Sequence, residues 1–174
     1  MLDVAWIEKE SSIDGEGVRC VVFVQGCKHN CLGCHNPQTH QFGTGTKMEI
    51  SEIVDIITEN PLLDGITLSG GDPFFQALPC KELADACKKQ DLTVWAYTGF
   101  IFEEFLKFIN NEKCNPMITS DMIELLKSLD VVVDGPFVLD KKTLNCVFRG
   151  SSNQRIIDVQ KSLTLGKVIE YKLD

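Results

Sequence analysis

Residues Gly26 to Pro37 read GCKHNCLGCHNP and place Cys27, Cys31 and Cys34 within eight consecutive positions, with no β-branched residue among them. The gaps are three residues and then two, a spacing that lets one loop turn three sulfurs inward around one compact inorganic object. The other cysteines, Cys20, Cys80, Cys87, Cys114 and Cys146, are scattered without ligand spacing. They read as plain buried thiols, which a reducing compartment keeps reduced.

Four kinds of chemistry suit three clustered cysteines. Structural zinc takes four Cys or His ligands, and His29 or His35 would complete a set of three Cys and one His. Such sites usually draw a second ligand pair from a distance, and His40 is the one remaining histidine. Residues Cys31 to His35 spell the C-x-x-C-H haem-attachment motif, which goes with export, whereas the opening MLDVAWIEKESS has neither a basic nor an apolar leader region. Disulfide frameworks suit short secreted chains, and redox pairs more often use a lone C-x-x-C at a helix start. The fourth possibility is an iron-sulfur cluster. A cluster ordinarily takes four thiolates, so a loop supplying three leaves one iron open to a small molecule.

Length and composition bound the rest. A chain of 174 residues is expected to form a single domain, 1–174, and at this size about 70% of the unfolded surface can be buried. No run approaches the 18 or so apolar residues of a membrane span. Seventeen Lys and Arg against 25 Asp and Glu give a formal net charge of -8, a field that repels a phosphate backbone. A soluble, cytoplasmic protein with no nucleic-acid and no membrane partner is expected.

The segments flanking the loop alternate between strand and helix. Val4 to Ile7 reads as a short strand before the polar turn ESSIDGEG, where Gly15 and Gly17 flank Glu16. Val18 to Gln25, VRCVVFVQ, is a nearly continuous β-branched run, the pattern of a strand buried on both faces. It delivers the chain into the cysteine loop, so the loop sits at a strand's C-terminal end, where parallel α/β sheets bind ligands. Residues 38–48 read as irregular surface. Met48 to Glu59 carries one apolar helical face, with Ser51 as its expected cap.

Gly65 to Asp72 runs as a strand into Ser69-Gly70-Gly71-Asp72-Pro73, where adjacent glycines let backbone groups come close to a bound molecule or simply form a tight turn. Gln76 to Gln90 reads as a helix and Asp91 to Tyr97 as a strand. Phe100 to Ile109 reads as a largely buried helix, and Ser120 to Leu129, with a Ser-Asp cap, leads into the strand Asp130 to Asp134. By the right-handed crossover rule the strands are parallel with helices on one side. Asp134, in the turn DGPF, is either a contact to a cofactor or the cap of its own turn. Arg149 to Val159, RGSSNQRIIDV, reads as a polar loop in which Arg149 and Arg155 suit a carboxylate or ribose and Asn153 and Gln154 an adenine edge. Val168 to Tyr171 offers a closing strand. About four β-α units fall short of the roughly 250 residues of a full barrel.

The Cys-x3-Cys-x2-Cys spacing resembles the radical S-adenosylmethionine superfamily. With CHNP, GGDP, DGPF and RGSSNQRIIDV, the chain from about the ESSIDGEG turn to the RGSSNQRIIDV stretch is similar to the activating proteins of anaerobic ribonucleoside-triphosphate reductase. The resemblance implies an α/β fold, an open partial (β/α) barrel with a mostly parallel sheet. It implies a 4Fe-4S cluster held by Cys27, Cys31 and Cys34, with S-adenosyl-L-methionine chelating the fourth iron. Gly70, Gly71 and Asp72 would seat the methionyl end of that cofactor. Gly33, Cys34 and His35 would lie against its adenosyl part, with Asp134 as a further contact. The implied activity is a glycyl-radical activase acting on the anaerobic reductase as protein substrate, with a reduced flavodoxin-type electron donor.

Two positions depart from the superfamily pattern. Asp72 stands where Glu is usual, one methylene shorter, and Gly33 where an aromatic residue is frequent. Two alternatives remain at this point. One is a radical enzyme with a small pterin-like substrate, similar to 7-carboxy-7-deazaguanine synthase. The other is a zinc-stabilised, non-catalytic interaction module.

Overall fold

The structure is a computed structural model and describes residues 1–173. The elements follow in the order β1 (Leu2–Ser11), β2 (Arg19–Val24), β3 (Thr46–Met48), α1 (Ile50–Thr58), β4 (Gly65–Gly70), α2 (Ala77–Lys88), β5 (Thr93–Tyr97), α3 (Phe102–Ile109), α4 (Ser120–Ser128), β6 (Val131–Asp134), β7 (Arg155–Asp158) and α5 (Val159–Leu165). All seven strands form one sheet in the order β3-β1-β2-β4-β5-β6-β7. The central four, β2, β4, β5 and β6, are parallel, and the antiparallel pairs lie on the flanks. The edge strands β3 and β7 do not pair with each other, so the sheet is open, as expected of an incomplete barrel.

The alternation of side chains along each strand sorts them to two different faces. In β5, Val94 and Ala96 enter the large core, while Trp95 and Tyr97 face the other way. Cys20, Val22 and Val24 of β2, Ile66 and Leu68 of β4 and Val132 of β6 join the large core, packed by residues of all five helices. The opposite face is an inner surface. Trp95, Val131, Val133 and Ile156 form a small cluster there against Tyr97, Phe148 and Tyr171, and Trp6 stacks on Phe23 at 4.1 Å between ring centroids. Arg19 is 1% exposed on this face, its guanidinium 5.3 Å from the Trp95 ring. It donates to Thr67, Thr93 and the carbonyl of Ile66, and burial pushes its pKa down to about 10.

Several sequence expectations shift. Thr46–Met48, within the segment read as irregular, pairs with β1. The RGSSNQRIIDV stretch contains β7, antiparallel to β6, and runs into α5. The expected closing strand at 168–171 amounts to one bridge between Ile157 and Glu170. Helix α1 is capped by Glu49 and Glu52 in a reciprocal capping box, not by Ser51, and Thr119 rather than Ser120 caps α4.

Candidate functional site

The cysteine loop leaves the C-terminal end of β2 and is closed at its base by backbone bonds. Gly26 N–H donates to Thr39 O at 2.7 Å and Cys27 N–H to His40 O at 3.1 Å. The buried Gln25 amide spans the loop from within, donating to the carbonyls of Gln38 and Gln41. Gln76 donates in turn to the carbonyls of Gln25 and Asp3. Cys27, Cys31 and Cys34 are free, partly exposed thiols, held on a frame with a fixed base. Gly33 has φ +75°, a left-handed conformation that favours glycine locally whatever lies beyond it.

The turn after β4 is bound to the base of this loop. Gly71 N–H donates to Val24 O at 2.8 Å and Asp72 N–H to Gly26 O at 3.0 Å. The Asp72 carboxylate is 1% exposed. One oxygen accepts from Phe74 N–H at 2.9 Å, and the other from His29 Nε2, Thr98 Oγ1 and Gly99 N–H at 2.8, 2.8 and 2.9 Å.

A cleft of about 890 Å³ opens over the inner face of the sheet. Cys34, His35, Ser69, Gly70, Gly71, Tyr97 and Arg149 are among its walls, together with Ile13 and Asp14 of the β1–β2 turn and residues 142–144 and 146–148. The sequence thus brings Cys34, His35, Gly70 and Gly71 to one space. Asp72 and Asp134 are not among the cleft-lining residues. Asp134, 1% exposed, accepts from Arg155 Nε at 3.0 Å and from Phe102 N–H at 2.8 Å, tying β6 to β7 and to the start of α3. Arg155 also makes a two-pronged bond to Glu103, at 2.8 and 2.7 Å, and is an internal brace. Gln154 accepts from Gly150 and Ser151 N–H and donates to Gly135 O, while Asn153 donates to Pro136 O. The polar loop therefore grips the DGPF turn. Arg149 Nε is buried without a partner among the described residues.

Three comparisons bear on this arrangement. A family model described as a 4Fe-4S single cluster domain matches residues 13–157. The anaerobic ribonucleoside-triphosphate reductase-activating protein of Pasteurella multocida is 35% identical over 156 residues, 83% of this chain and 89% of that one. The chain belongs to this family of activating proteins. The Escherichia coli member is 32% identical over 152 residues, covering 82% of this chain and 89% of its own, and the Haemophilus influenzae member 33% over 154 residues, covering 83% and 90%. Among solved structures, QueE from Escherichia coli has a TM-score of 0.48 at 15% identity, covering 76% of this chain and 70% of that chain.

The donor set of this family member fits a cluster. Three cysteines share one loop with no disulfide among them, and the Asn36 backbone N–H donates to Cys34 Sγ at 3.4 Å. Such bonds stabilise a thiolate and tune a cluster. Burial pushes the Cys27 thiol up to about 11, with the Asp72 charge adding to it, and burial also raises Cys31. Both are thiols at neutral pH in the metal-free protein, so iron displaces their protons on binding. Among the described residues no three His, Cys, Asp or Glu side chains surround one point as a single bound ion requires. No helix among them is long and apolar enough to cross a membrane.

Sequence reading alone missed the His29–Asp72 bond. Its partners lie 43 positions apart in the chain, and only the packing of strand ends brings them together. The pattern H-x-C with G-G-D carries no signal of a side-chain bond.

Proposed function

We propose that the chain is a radical S-adenosyl-L-methionine activase that generates a glycyl radical on anaerobic ribonucleoside-triphosphate reductase. The observation that carries this is that Cys34 and His35 of the cysteine loop and the Gly70–Gly71 turn line one broad cleft at the C-terminal ends of parallel strands. Membership of the activating-protein family supports the choice of partner.

Cys27, Cys31 and Cys34 hold a 4Fe-4S cluster, and the Asn36 N–H steadies the Cys34 thiolate. When bound, the cluster would supply the one electron needed to split the cofactor's sulfonium, and the cofactor would supply the hydrogen-abstracting group for a glycine α-carbon of the partner. The chain's residues bind, orient and exclude water. Gly70 and Gly71, on the cleft wall, seat the methionyl end. Gly33, Cys34 and His35, whose ring lies 4.9 Å from that of Phe137, flank the adenosyl part. Arg149 Nε, buried and unpaired, is a donor for the cofactor's carboxylate or ribose. Asp134 acts through the DGPF turn it anchors. We assign the electron to a reduced flavodoxin-type donor and the protein to the cytoplasm.

The test is electron paramagnetic resonance of the anaerobic reductase after incubation with reconstituted protein, S-adenosyl-L-methionine and reductant. A protein-borne glycyl doublet that needs all components supports the reading. Its absence with fully loaded protein and intact reductase would overturn it.

A further inference from the structure

His29 lies between the first two cysteines of the loop, yet its side chain is only 12% exposed. Its ring packs edge-on against Phe100 at 4.6 Å and near Phe75 at 5.4 Å. A Cβ on Gly99 would stand 2.5 Å from His29 Cδ2, so the ring fills the room that Gly99 leaves open. Nε2 meets Asp72 Oδ2 at 2.8 Å. An ionised carboxylate only accepts, so Nε2 carries the hydrogen. Thr98 and Gly99, at the end of β5, donate to the same oxygen. One buried carboxylate thus joins the segments that follow β2, β4 and β5.

We propose that His29 and Asp72 are positioning residues that lock the cysteine loop onto the sheet, with the Asp72 side chain acting on the cluster through His29 rather than by touching the cofactor. This rests on the loop holding a cluster. Four donors already hold the Asp72 carboxylate, three of them on Oδ2, and Asp72 is absent from the cleft wall while Gly70 and Gly71 are on it. An ammonium group of the cofactor reaching for Asp72 would have to displace bonds that hold three strand ends together. The loop segment from Lys28 to Asn30 has no other side-chain hydrogen bond to the sheet among those the described residues make.

Four proteins separate the roles: the wild type, His29→Leu, which keeps the apolar packing but loses the donor, His29→Gln, whose amide N–H replaces Nε2–H, and Asp72→Asn. Circular dichroism of the metal-free forms checks folding. Iron and sulfide per chain, iron retention against a chelator, the reduced-cluster resonance spectrum and S-adenosyl-L-methionine affinity by equilibrium dialysis are then measured. His29→Leu and Asp72→Asn are expected to weaken iron retention by about tenfold, the scale of outer-shell changes at metal sites, and to alter the cluster spectrum. His29→Gln should restore both. Molecules that keep their cluster should bind the cofactor within about threefold of wild type, well under one such outer-shell effect. Asp72→Asn with full iron and much weaker cofactor binding would overturn the proposal, as would His29→Leu with wild-type iron retention and spectrum. Wild-type protein that takes up no cluster, or whose spectrum ignores the cofactor, would instead overturn the functional reading beneath it.

Discussion

A Cβ placed on Gly71 would stand 2.3 Å from the carbonyl oxygen of Gly26. The second glycine of the turn is therefore required by the base of the cysteine loop, independently of any ligand. Gly71→Ala is expected to destabilise the metal-free protein by about 1–3 kcal/mol, the range for overpacking a tight contact. Urea unfolding measures this. Unchanged stability would mean that the two backbones separate freely and that the glycine serves only a bound molecule.

Replacing Cys27, Cys31 or Cys34 singly by Ala should abolish cluster-dependent cleavage and leave iron substoichiometric after reconstitution. Cys80 and Cys87 are fully buried in the large core, and burial pushes the Cys87 thiol up to about 12 and the Cys80 thiol higher still. Their Ala variants should keep full iron and lose about 1 kcal/mol of stability from the small cavities left behind. Equal iron loss in all five variants would contradict the three-ligand assignment.

Arg155→Met leaves Asp134 buried opposite no cation, and a loss of about 3 kcal/mol is expected from breaking such a pair on one side. Asp134→Asn added to it should recover part of that loss, which urea unfolding of the two variants tests. If the single variant is as stable as wild type, the brace between β6, β7 and α3 carries no weight.

The same brace predicts an acid limb. The Arg155 hydrogen bond holds Glu103 below its ordinary carboxyl range. A group with a depressed folded-state pKa adds stability that is complete above its unfolded value, near 4.5, and is lost as pH falls through the folded value. Wild type should therefore lose more stability than Arg155→Met between about pH 5 and pH 3. Parallel curves would remove Glu103 from the account.

How much of this was legible in the sequence depends on the range of the interactions. Strands β2, β4, β5 and β6 are buried on both faces and announce themselves as β-branched or apolar runs, and the helices between them carry apolar stripes. Strand β3 has three residues, none of them buried, and α5 buries only Val159 and Ser162, so neither leaves a periodic signal. Strand β7 owes its pairing to β6 and was hidden in a segment that reads as a polar loop. The cysteine spacing is local, and the three candidate donors can be named from it. The aim of a carboxylate is not local. Asp72 follows β4 and Asp134 ends β6 at the C-terminal edge of the parallel strands, yet their partners, His29, Thr98 and Arg155, come from other strand ends. The Asn153 and Gln154 amides, suited by type to an adenine edge, instead hold the DGPF turn.

The most direct test of the central claim is release of 5′-deoxyadenosine by the anaerobically reconstituted, reduced protein supplied with S-adenosyl-L-methionine and its reductase partner. The account predicts product that requires the cluster, the reductant and each of Cys27, Cys31 and Cys34. Protein carrying a full cluster that yields no 5′-deoxyadenosine with reductant and partner present would contradict it.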